Sequence, residues 1–153
     1  IDTYLNDLNV GTAVNEIVLH TSRVAKIQGF EISTNGKLID SFRGDGVIIA
    51  TPTGSTSYSM SIGAPIIYPT MESNLIVPMA PYKLGSRPLI LPANYDISAK
   101  IKGHPEAVMV IDGKDEIFIK GDDKIEFKAS NNPATLIRFS KNFFDRLRNK
   151  LRL

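Results

Sequence analysis

The sequence predicts a mainly β, sandwich-like multi-stranded domain with one short internal helix and a C-terminal amphipathic helix. Three observations predict it. Short apolar or alternating runs recur at roughly ten-residue spacing, the pattern of β-layer structures. Gly-, Asn- and Asp-containing turn signals separate them. Only two segments, 55–62 and 141–153, have a helical character.

In chain order, Val14 to His20 (VNEIVLH) is rich in apolar and β-branched residues and reads as a strand. Lys26 to Ser33 alternates, with Ile27, Phe30 and Ile32 as its apolar members, and Lys37 to Phe42 follows. Asn35-Gly36 between them is a strong hairpin signal, because both residues tolerate the positive φ of a two-residue turn. Gly46 to Ala50 (GVIIA) is a brief buried strand, and Leu75 to Met79 another. The proline-rich stretch from Pro78 to Pro92 reads as a long irregular connection. Ile97, Ala99 and Ile101 share one face of a period-two strand. Val108, Val110 and Ile111 belong to the next, and Asp112-Gly113 turns it back through Lys114 to Ile119. Lys124 to Lys128 points Ile125 and Phe127 inward, and Ala134 to Phe139 is the last strand expected. Ser55 to Ile62, flanked by glycines, has room for two turns of helix. From Lys141 to Leu153, Phe143, Leu147 and Leu151 fall at i, i+4 and i+8, with Phe144 beside them and Ser140 as cap.

The chain has 153 residues, 42% of them hydrophobic, enough for one domain with a real core. The absence of cysteine excludes disulfide scaffolds, thiolate metal sites and cysteine nucleophiles. His20 and His104 have no second ligand at metal spacing, so no structural metal is expected. The net charge of +2 is too balanced to argue for nucleic acid. Six Lys or Arg against one Asp between Arg138 and Leu153 make a basic tail, read as the solvated face of a helix. No apolar run approaches the ~18 residues that span a bilayer. The start, Ile1-Asp2-Thr3-Tyr4, lacks an initiator Met and signal-peptide character, which suggests a processed chain or a fragment.

Chemistry concentrates between Phe42 and Pro69. Gly44-Asp45-Gly46 sets a carboxylate between two residues without Cβ restraint. Thr51-Pro52-Thr53-Gly54-Ser55-Thr56-Ser57-Tyr58 then gathers hydroxyls, a glycine and an aromatic ring at a helix start. Backbone N–H groups, hydroxyl donors and a ring face suit a polar planar ligand such as a nucleotide or sugar. The same composition also makes an ordinary turn and cap. It is neither a Walker A loop nor GxGxxG.

These residues resemble a signature of the NAD kinase family: Gly44-Asp45-Gly46 followed by TPTGSTSYSMS at Thr51 to Ser61, with Asn15-Glu16 upstream. Pro65 to Pro69, Arg87 to Pro92 and the Asp112-Gly113 turn also match, so the resemblance runs from about Ala13 to Phe139. Ala64 stands where the family usually has a second Gly before the Pro, and Ser57 where Ala is commoner. The resemblance implies a β-rich dinucleotide-binding domain over 1–139, and a helix over 140–153 that packs on an N-terminal domain or another subunit. It implies phosphoryl transfer from ATP, or polyphosphate, to the 2′-hydroxyl of the adenosine ribose of NAD, making NADP. Mg²⁺ is expected to arrive with ATP. The family's N-terminal α/β domain carries a Gly-Gly-Asp-Gly motif, absent here, whose Asp is the usual candidate for activating that hydroxyl; this chain alone is therefore expected to be inactive.

By the same resemblance the NAD-binding residues are Asn15, Glu16, Asp45, Thr53, Thr56, Ser57, Tyr58, Ser61 and Asp112. Glu16 and Asn15 would serve ribose and adenine, Thr53 and Thr56 the adenine pocket, and Asp45 and Ser61 the nicotinamide-riboside end. Asp112 would lie near the reacting ribose and phosphate as a possible catalytic auxiliary. A homodimer or homotetramer in the cytoplasm is implied, without nucleic-acid or membrane partners. The alternatives are a lipid-kinase relative, which TPTGSTSYS and Asn15-Glu16 speak against, and a non-catalytic β-sandwich binding or assembly module.

Overall fold

Alternation along the chain builds two sheets whose apolar faces meet. The computed structural model describes residues 1–83, 85–103, 106–114, 116–137 and 142–151, without the side chains of 150 and 151. One antiparallel sheet has the order β2-β1-β12-β9-β4-β5. Its strands are β1 (Asp2–Leu5), β2 (Leu8–Thr12), β4 (Gln28–Thr34), β5 (Lys37–Gly44), β9 (Ile97–Lys102) and β12 (Ile125–Lys128). The other, β11-β10-β3-β6-β7-β8, holds β3 (Glu16–Thr21), β6 (Gly46–Ala50), β7 (Ser73–Met79), β8 (Leu89–Pro92), β10 (Glu106–Ile111) and β11 (Glu116–Lys120).

Period-two burial is clean in the first sheet. Every second residue of β4 and β9 is buried, so Phe30, Ile32, Ile97 and Ala99 enter the core with Ile125 and Phe127. Phe30 and Phe42 stack at 5.6 Å between centroids. Ile17, Leu19, Ile49 and Met109 face them from the second sheet. Burying each such side chain stabilises the fold by about 1.5–3 kcal/mol.

The centre of the second sheet is buried on both faces, and β6 and β7 therefore read as unbroken apolar runs. Their outward residues Ile48, Leu75, Val77 and Met79 form a second cluster with Ala64 and Ile67. Those partners come from the 51–72 crossover, which lies over this face.

Several expectations are corrected. The helix expected at 55–62 is a 3-10 turn (Gly54–Thr56) and a single helical turn, α1 (Tyr58–Ser61), broken at Ser57 with φ −100° and ψ −130°. The connection from Pro78 to Pro92 contains β8, and Pro78 itself belongs to β7. Pairing with β8 ends at Ile76, so Pro78 sits where β7 has only one neighbour. In β10 the buried residues are Ala107, Met109 and Ile111, with Val108 and Val110 on the other face. Residues 134–137 form no strand. An unexpected hairpin, β1–β2, turns through Asn6 and Asp7 at φ 51° and 67°. The C-terminal helix is α2 (Phe143–Leu151), capped by Asn142, whose Oδ1 accepts from the N–H groups of Phe144 and Asp145. Ser140, His104, Phe139 and the side chain of Leu151 lie outside the described residues. Among those described, no helix is long and apolar enough to cross a membrane.

Candidate functional site

Three segments converge where β3 begins. The first is the approach to β3, Val14 to Glu16. The second is the loop leaving β6, Thr51 to Tyr58. The third is the turn between β10 and β11.

Contact between the first two is made on backbone carbonyls. The Thr51 N–H donates to the Asn15 carbonyl at 2.9 Å, and Thr51 Oγ1 donates to the Val14 carbonyl at 2.6 Å. Gly54 presses on the same peptide so closely that a Cβ there would lie 2.1 Å from the Asn15 carbonyl oxygen. Only glycine allows that approach. Ser55 is fully buried and ties the loop down: its Oγ donates to the Pro52 carbonyl and accepts the Ile67 N–H at 2.9 Å.

The β10–β11 turn grips the first segment from its other side. Asp112 and Gly113 adopt φ 48° and 67°, a conformation that Asp tolerates and Gly favours. Asp112 Oδ2 accepts the Val14 N–H at 2.8 Å, and Oδ1 accepts those of Asn15 and Glu16 at 2.8 and 3.0 Å. The Asp112 N–H donates back to the Glu16 carbonyl at 3.0 Å.

Glu16 is thereby fixed, and its carboxylate is buried at 7% exposure. Ser57 Oγ donates to its Oε1 at 3.1 Å, while Oε2 is buried with no hydrogen-bond partner. Burial pushes the carboxyl pKa up from its ordinary value. The hydrogen bond from Ser57 pulls it down, the neighbouring Asp112 charge adds to the rise, and a bond from the Tyr58 backbone opposes it.

From Glu16 and the exposed Tyr58 an open groove of about 580 Å³ runs over the outer face of β3 and β10, floored by Val18, Val108 and Val110. It reaches His20, Thr21 and Ser22. His20 is half-buried, with Nδ1 2.8 Å from the Thr21 carbonyl. The Thr21 N–H donates to the Asp45 carbonyl at 2.9 Å, which places Asp45 beside the far end. Glu16 pairs with Ala50 and His20 with Gly46, so Asp45 and Glu16 stand at opposite ends of the β3–β6 pair, about 17 Å apart along the strands.

Of the expected site residues, the structure thus gathers Asn15, Glu16, Ser57, Tyr58 and Asp112. Thr53 and Thr56 line a different cavity, of about 410 Å³, closed on one side by Phe143, Arg146 and Leu147 of α2. There Phe143 meets Tyr68 edge-on at 5.1 Å. Ser61 is exposed at the end of α1 and lines neither space. Thr51, Gly54 and Ser55 are structural members of the site that the residue-by-residue expectation left out, although all three lie within the quoted motif.

Comparison with known proteins follows the same residues. Residues 14–139 match the family model described as the ATP-NAD kinase C-terminal domain. The NAD kinase of Methanocorpusculum labreanum is 44% identical over 153 residues, 100% of this chain and 56% of that protein. That of Methanosarcina acetivorans is 42% identical, over 99% of this chain and 56% of its own length. Yeast NADH kinase, solved in complex with NADH, superposes with a TM-score of 0.86 at 27% identity, over 98% of this chain and 48% of that one. An NAD kinase from Archaeoglobus fulgidus in complex with ATP gives 0.86 at 28% identity, over 99% and 58%. The chain spans about half the length of the curated relatives it matches.

Proposed function

We propose, from the premise that this chain belongs to the ATP-NAD kinase family, that it is the dinucleotide-binding half of an enzyme that phosphorylates NAD to NADP. One observation carries the reading. Glu16 is a buried carboxylate with one oxygen anchored by Ser57 and the other without a partner, at the head of an open groove of about 580 Å³.

In this reading Glu16 accepts hydrogen bonds from ribose hydroxyls, as acidic residues do in other dinucleotide sites. Asn15 offers its amide to adenine or ribose, and Tyr58 a ring face and hydroxyl. Ser57 holds the Glu16 carboxylate in place. Asp45, beside the far end of the groove, meets the nicotinamide-riboside portion; Ser61, which lines neither space, carries that assignment by the family resemblance alone. Thr53 and Thr56 contribute to the adenine side through the cavity beneath α2.

The phosphoryl donor is ATP or polyphosphate, bound mainly outside this chain. Activation of the 2′-hydroxyl likewise falls to the N-terminal domain of the complete protein. Mg²⁺ accompanies ATP to neutralise its phosphates; among the described residues no group of three or more His, Asp or Glu is gathered that could hold the ion. The exposed ring of Phe144 on α2 is left to pack on that N-terminal domain or on another subunit of a homodimer or homotetramer. The reading carries a cytoplasmic setting, and a chain without cysteine needs no oxidising compartment.

Calorimetric titration with NAD and NADP tests it, across protein concentrations that span any self-association. Saturable binding lost in Glu16→Ala and weakened in Asp45→Ala is the expected result. Undiminished binding in both variants would favour a binding module that does not use this groove. No binding by the complete wild-type protein would refute the reading outright.

A further inference from the structure

We propose that Asp112 is a positioning residue, whose carboxylate clamps the backbone of Val14 to Glu16 and so holds Glu16 at the head of the groove, with Asn15 fixed beside it. The proposal rests on the dinucleotide reading only for what Asn15 and Glu16 do once held. It replaces a role for Asp112 at the reacting atoms.

Hydrogen bonding decides between the two roles. A carboxylate offers about four lone-pair sites. Three are filled by consecutive backbone N–H groups at 2.8, 2.8 and 3.0 Å, and both oxygens are used. Bonds to an ionised acceptor are roughly twice as strong as neutral ones. The Asp112 N–H closes a ring by donating to the Glu16 carbonyl. With three of its roughly four lone-pair sites filled and its backbone fixed on a turn with φ 48°, the Asp112 carboxylate has at most one site left to offer a reacting atom.

The clamped segment needs this help. Val14 and Asn15 precede β3, and β3 itself starts only at Glu16. Their N–H groups lie outside the β3–β6 and β3–β10 pairing registers, which begin at Glu16 and Ile17. Without Asp112 two partly buried donors, the N–H groups of Asn15 and Glu16, would lose their partner, the costly side of hydrogen bonding, and the exposed Val14 N–H would turn to water. Thr51 holds the carbonyls of the same peptides from the opposite side. The Asn15 amide, by contrast, makes no hydrogen bond among the described residues and stays available. The backbone is doubly gripped and the side chain is free, as a presenting segment requires.

Asp112→Asn is the informative change. It keeps the shape but puts an NH₂ donor where one oxygen accepted, so at least one N–H faces a donor. Asp112→Ala removes the clamp entirely and risks the fold, which the shape-conserving Asn variant guards against. Two readouts are needed. Amide hydrogen exchange at Val14, Asn15 and Glu16 in this chain should speed up by ten- to hundredfold in Asp112→Asn, with core amides such as Phe127 unchanged. In the complete enzyme, KM for NAD should rise about tenfold or more while kcat stays within about threefold.

Unchanged exchange at the three amides would overturn the clamp. A fall in kcat of a hundredfold or more at constant KM would overturn positioning in favour of chemistry. If the wild-type enzyme neither binds nor turns over NAD, the dinucleotide reading fails, and the exchange data still decide whether Asp112 holds this backbone.

Discussion

Replacing Gly54 by alanine should cost far more than its single methyl group suggests. The added Cβ would stand 2.1 Å from the Asn15 carbonyl oxygen and 2.5 Å from its carbon, both backbone atoms. Real Cβ contacts do not fall below 3.0 Å, so the two segments must part by at least 0.9 Å (3.0 − 2.1). If the Thr51 N–H to Asn15 bond takes up that shift, its 2.9 Å becomes 3.8 Å, beyond any hydrogen bond. The Thr51 Oγ1 bond to Val14 stretches with it. Two lost bonds cost about 1 kcal/mol each. Overpacking adds about 1–3 kcal/mol. The total is about 3–5 kcal/mol. With a urea m-value of about 2 kcal/mol/M, the unfolding midpoint should drop by roughly 2 M. Gly36→Ala is the control. It has φ +75° but nothing within 4 Å of the new Cβ, so it suffers only the left-handed penalty of about 1–2 kcal/mol. Equal midpoints for the two variants would refute the close-approach argument.

Glu16 makes stability depend on pH in a stated direction. Its pKa is raised in the folded chain, so the folded state holds the proton more tightly than the unfolded one. Stability must then fall as pH rises from the ordinary value of 4.5 through the folded value. Urea midpoints should show this fall in the wild type relative to Glu16→Gln, and a constant difference between pH 4 and 8 would count against it. Ser57→Ala removes the bond that lowers this pKa, so the Glu16 carboxyl titration followed by carbon NMR should move to higher pH; no movement would mean the bond is not formed in solution. Phe127→Ala, at 1% exposure between the sheets, should destabilise by about 3–5 kcal/mol in chemical denaturation, well above the same change at Phe118, which is 74% exposed.

Local pattern made most strands legible. Alternation in β4 and β9, and the Asn35-Gly36 turn, are properties of neighbouring residues and survive into the structure. What escaped depends on distant partners. β8 is a strand because β7 offers it an edge, and its flanking prolines hid that. The run at 134–137 has strand-like residues but pairs with none of the described strands. The helix at 55–62 fails because Ser55 and Gly54 are committed to Ile67 and Asn15. In the site, the motif brought out Glu16, Ser57 and Tyr58, which meet in space. The bonds from Asp112 to residues 97 and 96 positions earlier have no local signature. The separation of Thr53 and Thr56 from the groove is equally invisible without the path of α2.

The 51–72 crossover is at once a wall of the candidate site and the cover of the second apolar cluster. Opening it would bring Ile67, Leu75 and Val77 into water, a cost that opposes any use of this wall as a gate. The same double duty restricts how such a domain can change its preferences over evolutionary time. Insertions and deletions in the crossover would uncover the cluster, whereas exchanges at the outward positions Ser57, Tyr58 and Ser61 leave it covered. New specificity in this architecture comes by repainting the wall, and its length stays constant.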